Sequence, residues 1–278
     1  MELISVIIPT YNRKALLERA LRSVLCQKKT DFELIVADDG SNDGTNAVMP
    51  KQFPSIRYLR WDKQQGPSYA RNRGVEAAKG RWIAFLDSDD EWKPGKLRAQ
   101  LDFFAEYPDY RIAQTEEIWI RNGVHVNPMR KHKKYGGAIF EKCLPLCVIS
   151  PSAVMLEKAL FETSGGFDES LPACEDYDLW LRLSAKEPVG LIEKPYVIKY
   201  GGHEDQRSRE FAAMDRFRIY ALDKILSSGT LMPEQTVAAQ QALDEKIRIF
   251  NQGALKRTAS GTVLPNELSC QELQKNRP

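Results

Sequence analysis

The chain has no apolar run approaching the roughly twenty residues that a membrane-spanning helix needs; its longest apolar stretches are strand-sized and soon meet charge. It has almost no excess of either charge, since 40 basic and 38 acidic residues leave a formal +2, so bulk electrostatics give no reason to expect a nucleic-acid partner. Cysteine is scarce: the five present (Cys26, Cys143, Cys147, Cys174, Cys270) are odd in number and irregularly spaced, which fits a reducing cytoplasm. The chain opens on a strand-like run instead of a charged-then-apolar leader, and it contains no internal repeat. The expectation is therefore a cytoplasmic protein without a transmembrane segment, soluble or held peripherally at the inner face of a membrane. With 278 residues, 42% hydrophobic and 28% charged, it is long enough for one large domain and a smaller appendage.

Leu3-Ile4-Ser5-Val6-Ile7-Ile8 is a short β-branched run closed by Pro9, and Ala15, Leu16, Ala20, Leu21, Val24 and Leu25 follow at helical spacing. The same alternation continues with strand-like segments at 32–37, 56–61 and 82–86 and a helical one at 68–78. Alternation of this kind predicts a mostly parallel sheet flanked by helices. Beyond it, 93–106 reads as an amphipathic helix entered through Pro94, and Asn122-Gly123 joins two extended segments as a hairpin turn would, so the second half is mixed. The sequence turns helical and polar from about Arg209, with Phe211, Met214, Phe217 and Ala221 on one face, and it ends in a tail from Thr258 that reads as poorly ordered. This divides the chain into a domain at 1–207 and a C-terminal helical extension at 208–278. The extension can shape an acceptor site or a homodimer contact, and the sequence does not choose between them.

Ligands of open α/β sheets bind beyond the carboxyl ends of the strands. Three successive strand ends are polar here: Pro9-Thr10-Tyr11-Asn12-Arg13, Asp38-Asp39-Gly40-Ser41 and Asp87-Ser88-Asp89-Asp90. Two carboxylates one residue apart after an apolar strand repel each other unless a cation sits between them, and hard oxygen ligands of that type suit Mg2+ or Mn2+. The alternative is a solvated acidic turn ahead of the next helix. Asp39 at its strand end is placed to accept a hydrogen bond from a nucleobase, and Tyr11 to stack on one. The run from Asp39 to Gly44 mimics half a calcium loop, but Pro50 stands where the closing glutamate belongs.

Four ordered motifs, Ser5-Val6-Ile7-Ile8-Pro9-Thr10-Tyr11-Asn12, Val36-Ala37-Asp38-Asp39-Gly40-Ser41, Gly66-Pro67-Ser68-Tyr69-Ala70-Arg71-Asn72-Arg73-Gly74 and Leu86-Asp87-Ser88-Asp89-Asp90, together resemble the family 2 glycosyltransferases of the GT-A fold, from about residue 3 to the low 200s. The resemblance implies an inverting, metal-dependent transferase that moves a sugar from a nucleotide-diphosphate donor, a UDP-sugar first of all, to a hydroxyl of a glycan or lipid-linked acceptor in bacterial-type polysaccharide assembly. It implies that Pro9, Thr10, Tyr11 and Asp39 hold the base and nucleoside, that Arg71 lies near the nucleotide, and that Asp87 and Asp89 form the metal-diphosphate motif.

Gly165-Gly166-Phe167-Asp168 leads to Cys174-Glu175-Asp176-Tyr177-Asp178, which is similar to the family's acidic segment opening a helix. Inversion needs a carboxylate to take the acceptor's proton, and by this resemblance that base is Asp176. Asp178 supports the site or pairs with Arg182, four residues on. His203, after the extended segment at 196–200, is a further metal-ligand candidate. The basic stretch at 130–134 reads as a solvated loop, or as one that grips a phosphate or an anionic membrane surface. Two other classes compete. A sugar-nucleotide pyrophosphorylase would open with a glycine-rich phosphate loop, which Pro9-Thr10-Tyr11-Asn12 is not, and a non-catalytic binding module would have no use for clustered carboxylates.

Overall fold

The computed structural model describes residues 2–127, 129, 132–202, 211 and 213–259, with side chains as far as 253. The N-terminal β-branched run forms β1 (Ile4–Thr10), buried at every position. A strand covered on both faces sends alternate side chains into two cores. Ile4, Val6 and Ile8 enter one apolar cluster with Leu17, Leu21 and Val24 of α1 (Lys14–Leu25), whereas Ile7 enters the other with Val75 of α3 (Pro67–Ala77). The same period of two runs through β2 (Phe32–Asp38) and β4 (Trp82–Phe85). Helix α3 lies hard against β1 because residue 74 is glycine: a Cβ there would meet Cγ2 of Ile7 at 2.5 Å.

Between these come α2 (Thr45–Gln52), a helix with Pro50 inside it that the sequence reading does not assign, and the short strand β3 (Arg57–Arg60). After β4 follow β5 (Glu91–Trp92), α4 (Lys96–Glu106), β6 (Ile112–Arg121), β7 (Val124–Val126), α5 (Phe140–Cys143), a 3-10 turn at Pro151–Ala153, β8 (Val154–Glu157), α6 (Lys158–Thr163), α7 (Glu175–Ser184) and β9 (Gly190–Gly201). Helices α8 (Asp215–Ser227) and α9 (Pro233–Ala259) end the described chain. The predicted hairpin is β6–β7, and its two turn residues, Asn122 and Gly123, both have positive φ (50° and 77°), which a tight turn between twisted strands requires.

One mixed sheet runs in the order β3-β2-β1-β4-β8-β6-β9-β5, with β7 beside β6. Its N-terminal half, β3-β2-β1-β4, is parallel, as the strand–helix alternation predicts. β8 then runs antiparallel to both β4 and β6, while β6 and β9 are parallel with a register shift at Thr115–Glu117. The carboxyl ends of β1, β2 and β4 consequently open on one edge. Phe217, Leu222, Ile225 and Leu243 of α8 and α9 share the apolar cluster that holds Ile7 and Phe85. No described helix is long and apolar enough to cross a membrane.

The basic stretch at 130–134 departs from its sequence reading. Arg130 and Lys131 lie outside the described residues, but Lys134 is buried, not solvated: its ammonium is 3.3 Å from Glu117 and 3.0 Å from Oε1 of Gln114. Burial alone would raise the Glu117 carboxyl, yet the ammonium groups of Lys134 and Lys199 hold it at about 2. A carboxyl held below its ordinary value of 4.5 contributes stability that is fully present above that pH and is lost as pH falls towards 2. Glu117→Gln should therefore destabilise the fold by about 3 kcal/mol at pH 7, because the buried Lys134 ammonium loses its carboxylate partner and Lys199 loses one of its several. Its melting temperature should also fall less steeply than the wild type's between pH 4.5 and 2. Thermal melts over that range check both expectations.

Candidate active site

A cleft of ≈ 840 Å³ opens at the carboxyl edge of the parallel strands, lined by Pro9, Thr10, Tyr11, Asp39, Arg71, Asp87, Asp89 and Asp176 among others. These are the positions singled out in the sequence, except His203, which lies outside the described residues. The first wall is made by the loops after β1 and β2, which are tied together: Asn12 takes the N–H of Asn42 at 2.8 Å and gives its own N–H to Oγ of Ser41 at 2.9 Å. The two neighbouring aspartates there have different work. Asp38 is fully buried and receives the Tyr58 hydroxyl and the Ser41 N–H, so it is internal framework. Asp39 reaches the cleft, and its two oxygens accept the N–H groups of Gln65 and Gly66 at 2.9 and 2.7 Å, which pins the start of α3. Tyr11 is 36% exposed at the cleft wall, a ring open to stacking.

Arg71 is the node of the site. It projects from α3, is only 6% exposed, and forks between Oδ1 of Asp87 at 2.7 Å and Oε1 of Glu175 at 2.9 Å, with the ring of Phe167 5.2 Å from its guanidinium carbon. Burial disfavours its charge, but the two carboxylates hold its pKa above the ordinary arginine value. Residue 71 is thus an interior arginine, not a surface one. Both ends of the fork meet carboxylates, so the guanidinium joins the strand-end acids to the acidic first turn of α7.

The turn after β4 is shaped by Ser152, which donates its hydroxyl to Oδ2 of Asp90 at 2.6 Å and accepts the N–H of Asp87 at 3.1 Å. Asp89 pairs with Arg13 at 3.0 Å, and its carbonyl takes a hydrogen bond from Arg19, whose guanidinium lies over the ring of Tyr200. Asp90 is 2% exposed; desolvation, then the charges of Asp89 and Asp87, raise its pKa well above the carboxylate range against the pull of Lys199. Lys199, on β9, also lines the cleft. Its ammonium is held charged by Glu117, Asp90, Asp87 and Asp89 against the cost of burial. Neither Lys199 nor Glu175 is a site residue in the sequence reading; an inward lysine in the alternating strand Tyr196-Val197-Ile198-Lys199-Tyr200 was the available signal for the first.

Asp176 stands on the first turn of α7, next to Glu175. Its Oδ1 takes the N–H of Tyr177 at 2.7 Å and its Oδ2 lies 3.4 Å from the thiol of Cys147. Asp178 is 1% exposed and pairs with Arg182 at 2.7 Å and Lys224 at 3.1 Å, so of the two readings offered by the sequence the ion pair is the one observed. Cys174 lines the cleft, but burial pushes its thiol up to about 12, an inert form at neutral pH.

The lining sets Asp39, Asp87, Asp89, Asp90, Glu175 and Asp176 against Arg13, Arg71 and Lys199. Even with Asp90 protonated, acid exceeds base, and an anionic diphosphate would be repelled without added positive charge. Asp87 and Asp89 present hard oxygens at one cleft wall, and a Mg2+-type ion is commonly held by one or two carboxylates together with substrate phosphates. The donor set therefore fits such an ion. Among the described residues, no group of three or more His, Cys, Asp or Glu side chains forms a metal cluster.

A mixed sheet whose parallel strands end at one acid-lined cleft is the architecture of the GT-A glycosyltransferases. Within that class the chain belongs to glycosyl transferase family 2, whose family model matches residues 5–164. It is 35% identical over 223 residues to WfaP of Escherichia coli, a UDP-Glc:alpha-D-GlcNAc-diphosphoundecaprenol beta-1,3-glucosyltransferase, covering 76% of this chain and 83% of that one. The chain spans about a third of the length of the Rickettsia glycosyltransferases that it also matches. Among solved structures, S. aureus TarS 1-349 in complex with UDP-GlcNAc is similar with a TM-score of 0.71 at 22% identity, covering 89% of this chain and 72% of that one. The mannosyltransferase PcManGT from Pyrobaculum calidifontis, in complex with GDP-Man and Mn2+, gives 0.60 at 16% identity, with 98% and 84% covered. At those identities the structural likeness speaks for the fold.

Removal of the Arg71 fork leaves two carboxylates without their shared cation. Arg71→Met should cost about 3–5 kcal/mol of folding stability, and Arg71→Lys should not restore it, because an ammonium cannot fork between two carboxylates. Urea unfolding of the three proteins measures this directly.

Proposed function

We propose that this chain is an inverting, metal-assisted glycosyltransferase that moves a sugar from a nucleoside-diphosphate donor, with uridine the first candidate base, to a hydroxyl of a glycan or lipid-linked acceptor in polysaccharide assembly. The observation that carries the reading is the convergence of Tyr11, Asp39, Asp87, Asp89 and Asp176 on a single cleft. WfaP, a relative covered over most of its length, is named for a UDP-sugar donor and a diphosphoundecaprenol-linked acceptor, and TarS is solved with UDP-GlcNAc; both support the choice of substrate class.

In this reading Tyr11 stacks on the base, while Asp39, held towards the cleft by the N–H groups of Gln65 and Gly66, accepts a base N–H. Asp87 and Asp89 hold a divalent cation, which supplies charge neutralisation for the departing diphosphate. Mn2+ in the PcManGT complex supports that choice of ion, and His203 is the further ligand candidate. Asp176 accepts the proton of the acceptor hydroxyl as that oxygen bonds to the anomeric carbon and the carbon–oxygen bond to the diphosphate breaks, its electron pair leaving with the diphosphate. Arg71 keeps Asp87 and the Glu175–Asp176 turn in fixed relation, and Lys199 adds positive charge beneath the acidic wall.

Asp176→Asn should bind UDP as the wild type does but lose transfer by about 10²- to 10⁴-fold, the usual contribution of a general base; turnover at the wild-type rate would remove residue 176 from that role. Wild-type protein should melt higher with UDP and Mn2+, by the equivalent of about 2.7 kcal/mol at a hundred times the dissociation constant, whereas Asp89→Ala should lose the part of the shift that depends on Mn2+. An unchanged metal-dependent shift in Asp89→Ala would argue against the carboxylate site.

A further inference from the structure

Cys147 lies in the segment between α5 and the 3-10 turn, with Sγ 3.4 Å from Oδ2 of Asp176 and 3.0 Å from the carbonyl oxygen of Ile149. The segment is fastened to α7: the Tyr177 hydroxyl donates to the Leu144 carbonyl at 2.6 Å, and Leu144, Val148 and Ile149 are buried. Burial, then the charge of Asp176, push the thiol well above its ordinary range, so it stays protonated, a donor and not a nucleophile. Since Oδ1 of Asp176 already takes the Tyr177 N–H, the two carboxylate oxygens have one donor each, and the side chain lines the cleft.

We propose that Cys147 is a positioning residue for Asp176, its S–H fixing Oδ2 so that the carboxylate faces the acceptor side of the cleft. The inference rests on the reading of Asp176 as the base. The single thiol proton has two acceptors within reach, and this is what suits it to a group that changes protonation. With Asp176 ionised, S–H donates to Oδ2. Once the carboxyl has taken the acceptor's proton, S–H turns to the Ile149 carbonyl and a sulfur lone pair accepts from the carboxylic O–H. The thiol neither gains nor loses a proton, and the orientation holds in both states. A weak donor is also the appropriate one, because a strong hydrogen bond to the carboxylate would stabilise the ionised form and reduce its basicity.

The ionisable groups around the pair are Cys143 from α5, Cys174 just ahead of α7, Glu175 and Tyr177 on α7, Asp215 and Arg218 from α8, and Arg71 through Glu175. A substitution at 147 leaves these side chains themselves in place, Tyr177 being one that the thiol also influences. The test is the pH dependence of kcat/KM for wild type, Cys147→Ala and Cys147→Ser with saturating Mn2+, beside melting temperatures and an Asp176→Asn control. Cys147→Ala should move the acid limb up by about half a pH unit and lower kcat several-fold with donor KM unchanged. Cys147→Ser, a stronger donor of similar size, should move the limb below the wild-type position, and it carries the test alone should the alanine variant fail to fold. Coincident limbs, or limbs that move the same way in both variants, overturn the role of Cys147. An Asp176→Asn protein that still turns over overturns the base assignment itself, whereas an inactive one with coincident limbs overturns only the inference about Cys147.

Discussion

The site depends on a buried guanidinium. Arg71 reaches from α3 to Asp87 at the end of β4 and to Glu175 at the start of α7, elements that come from the parallel and the mixed halves of the sheet. An arginine this far from solvent is costly unless both of its carboxylate partners are in place, and each carboxylate would repel the other without it. The three groups therefore hold one another, and the distance between the strand-end acids and Asp176 is fixed by the length of a single side chain and one peptide unit. Gly74, one helical turn further along α3, makes this reach available by letting the helix settle directly on Ile7.

Behind the cleft a second layer of charge continues into the core. Glu117 lies between Lys134 and Lys199, and Lys199 in turn faces Asp90, Asp87 and Asp89. Lys96, fully buried beneath, rests on Oε1 of Gln100 at 2.7 Å and over the ring of Trp92, with its pKa pushed well down by desolvation and by Lys134. Such a core is rigid in position but sensitive to the loss of any member, because each charge has few partners and little water. For a cleft that must receive an anionic diphosphate on an acidic wall, this arrangement holds the carboxylates in position before any ligand arrives.

The parallel half of the fold was legible because both of its signals are local. β-branched runs at 3–8 and 32–37 alternate with helical spacing, and β1 and β2 follow within a residue or two. The Asn122-Gly123 hairpin was equally plain, since its backbone geometry is set by the two residue types at the turn. Helix α2 was not, because Pro50 sits inside it and it has little amphipathic pattern. The burial of Lys96 and Lys134 was invisible for a different reason. In sequence they resemble any lysine on a helix or in a loop, and only packing against Trp92, Gln100, Gln114 and Glu117 decides that they are inside.

At the site the division is similar. The sequence by itself determined which strand ends carry polar groups, that two acids stand one residue apart after an apolar strand, and that an acidic turn opens a helix near 175, because residue type and short-range spacing suffice for each. Tertiary structure alone decided that Asp38 is framework while Asp39 reaches the cleft, that Arg71 spends its fork on Asp87 and Glu175, and that Cys147 meets Asp176. Those contacts join residues 16 to 104 positions apart, and no local rule orders them. They exist because the sheet brings distant strand ends to one edge, where buried charges can be stable only in one another's company.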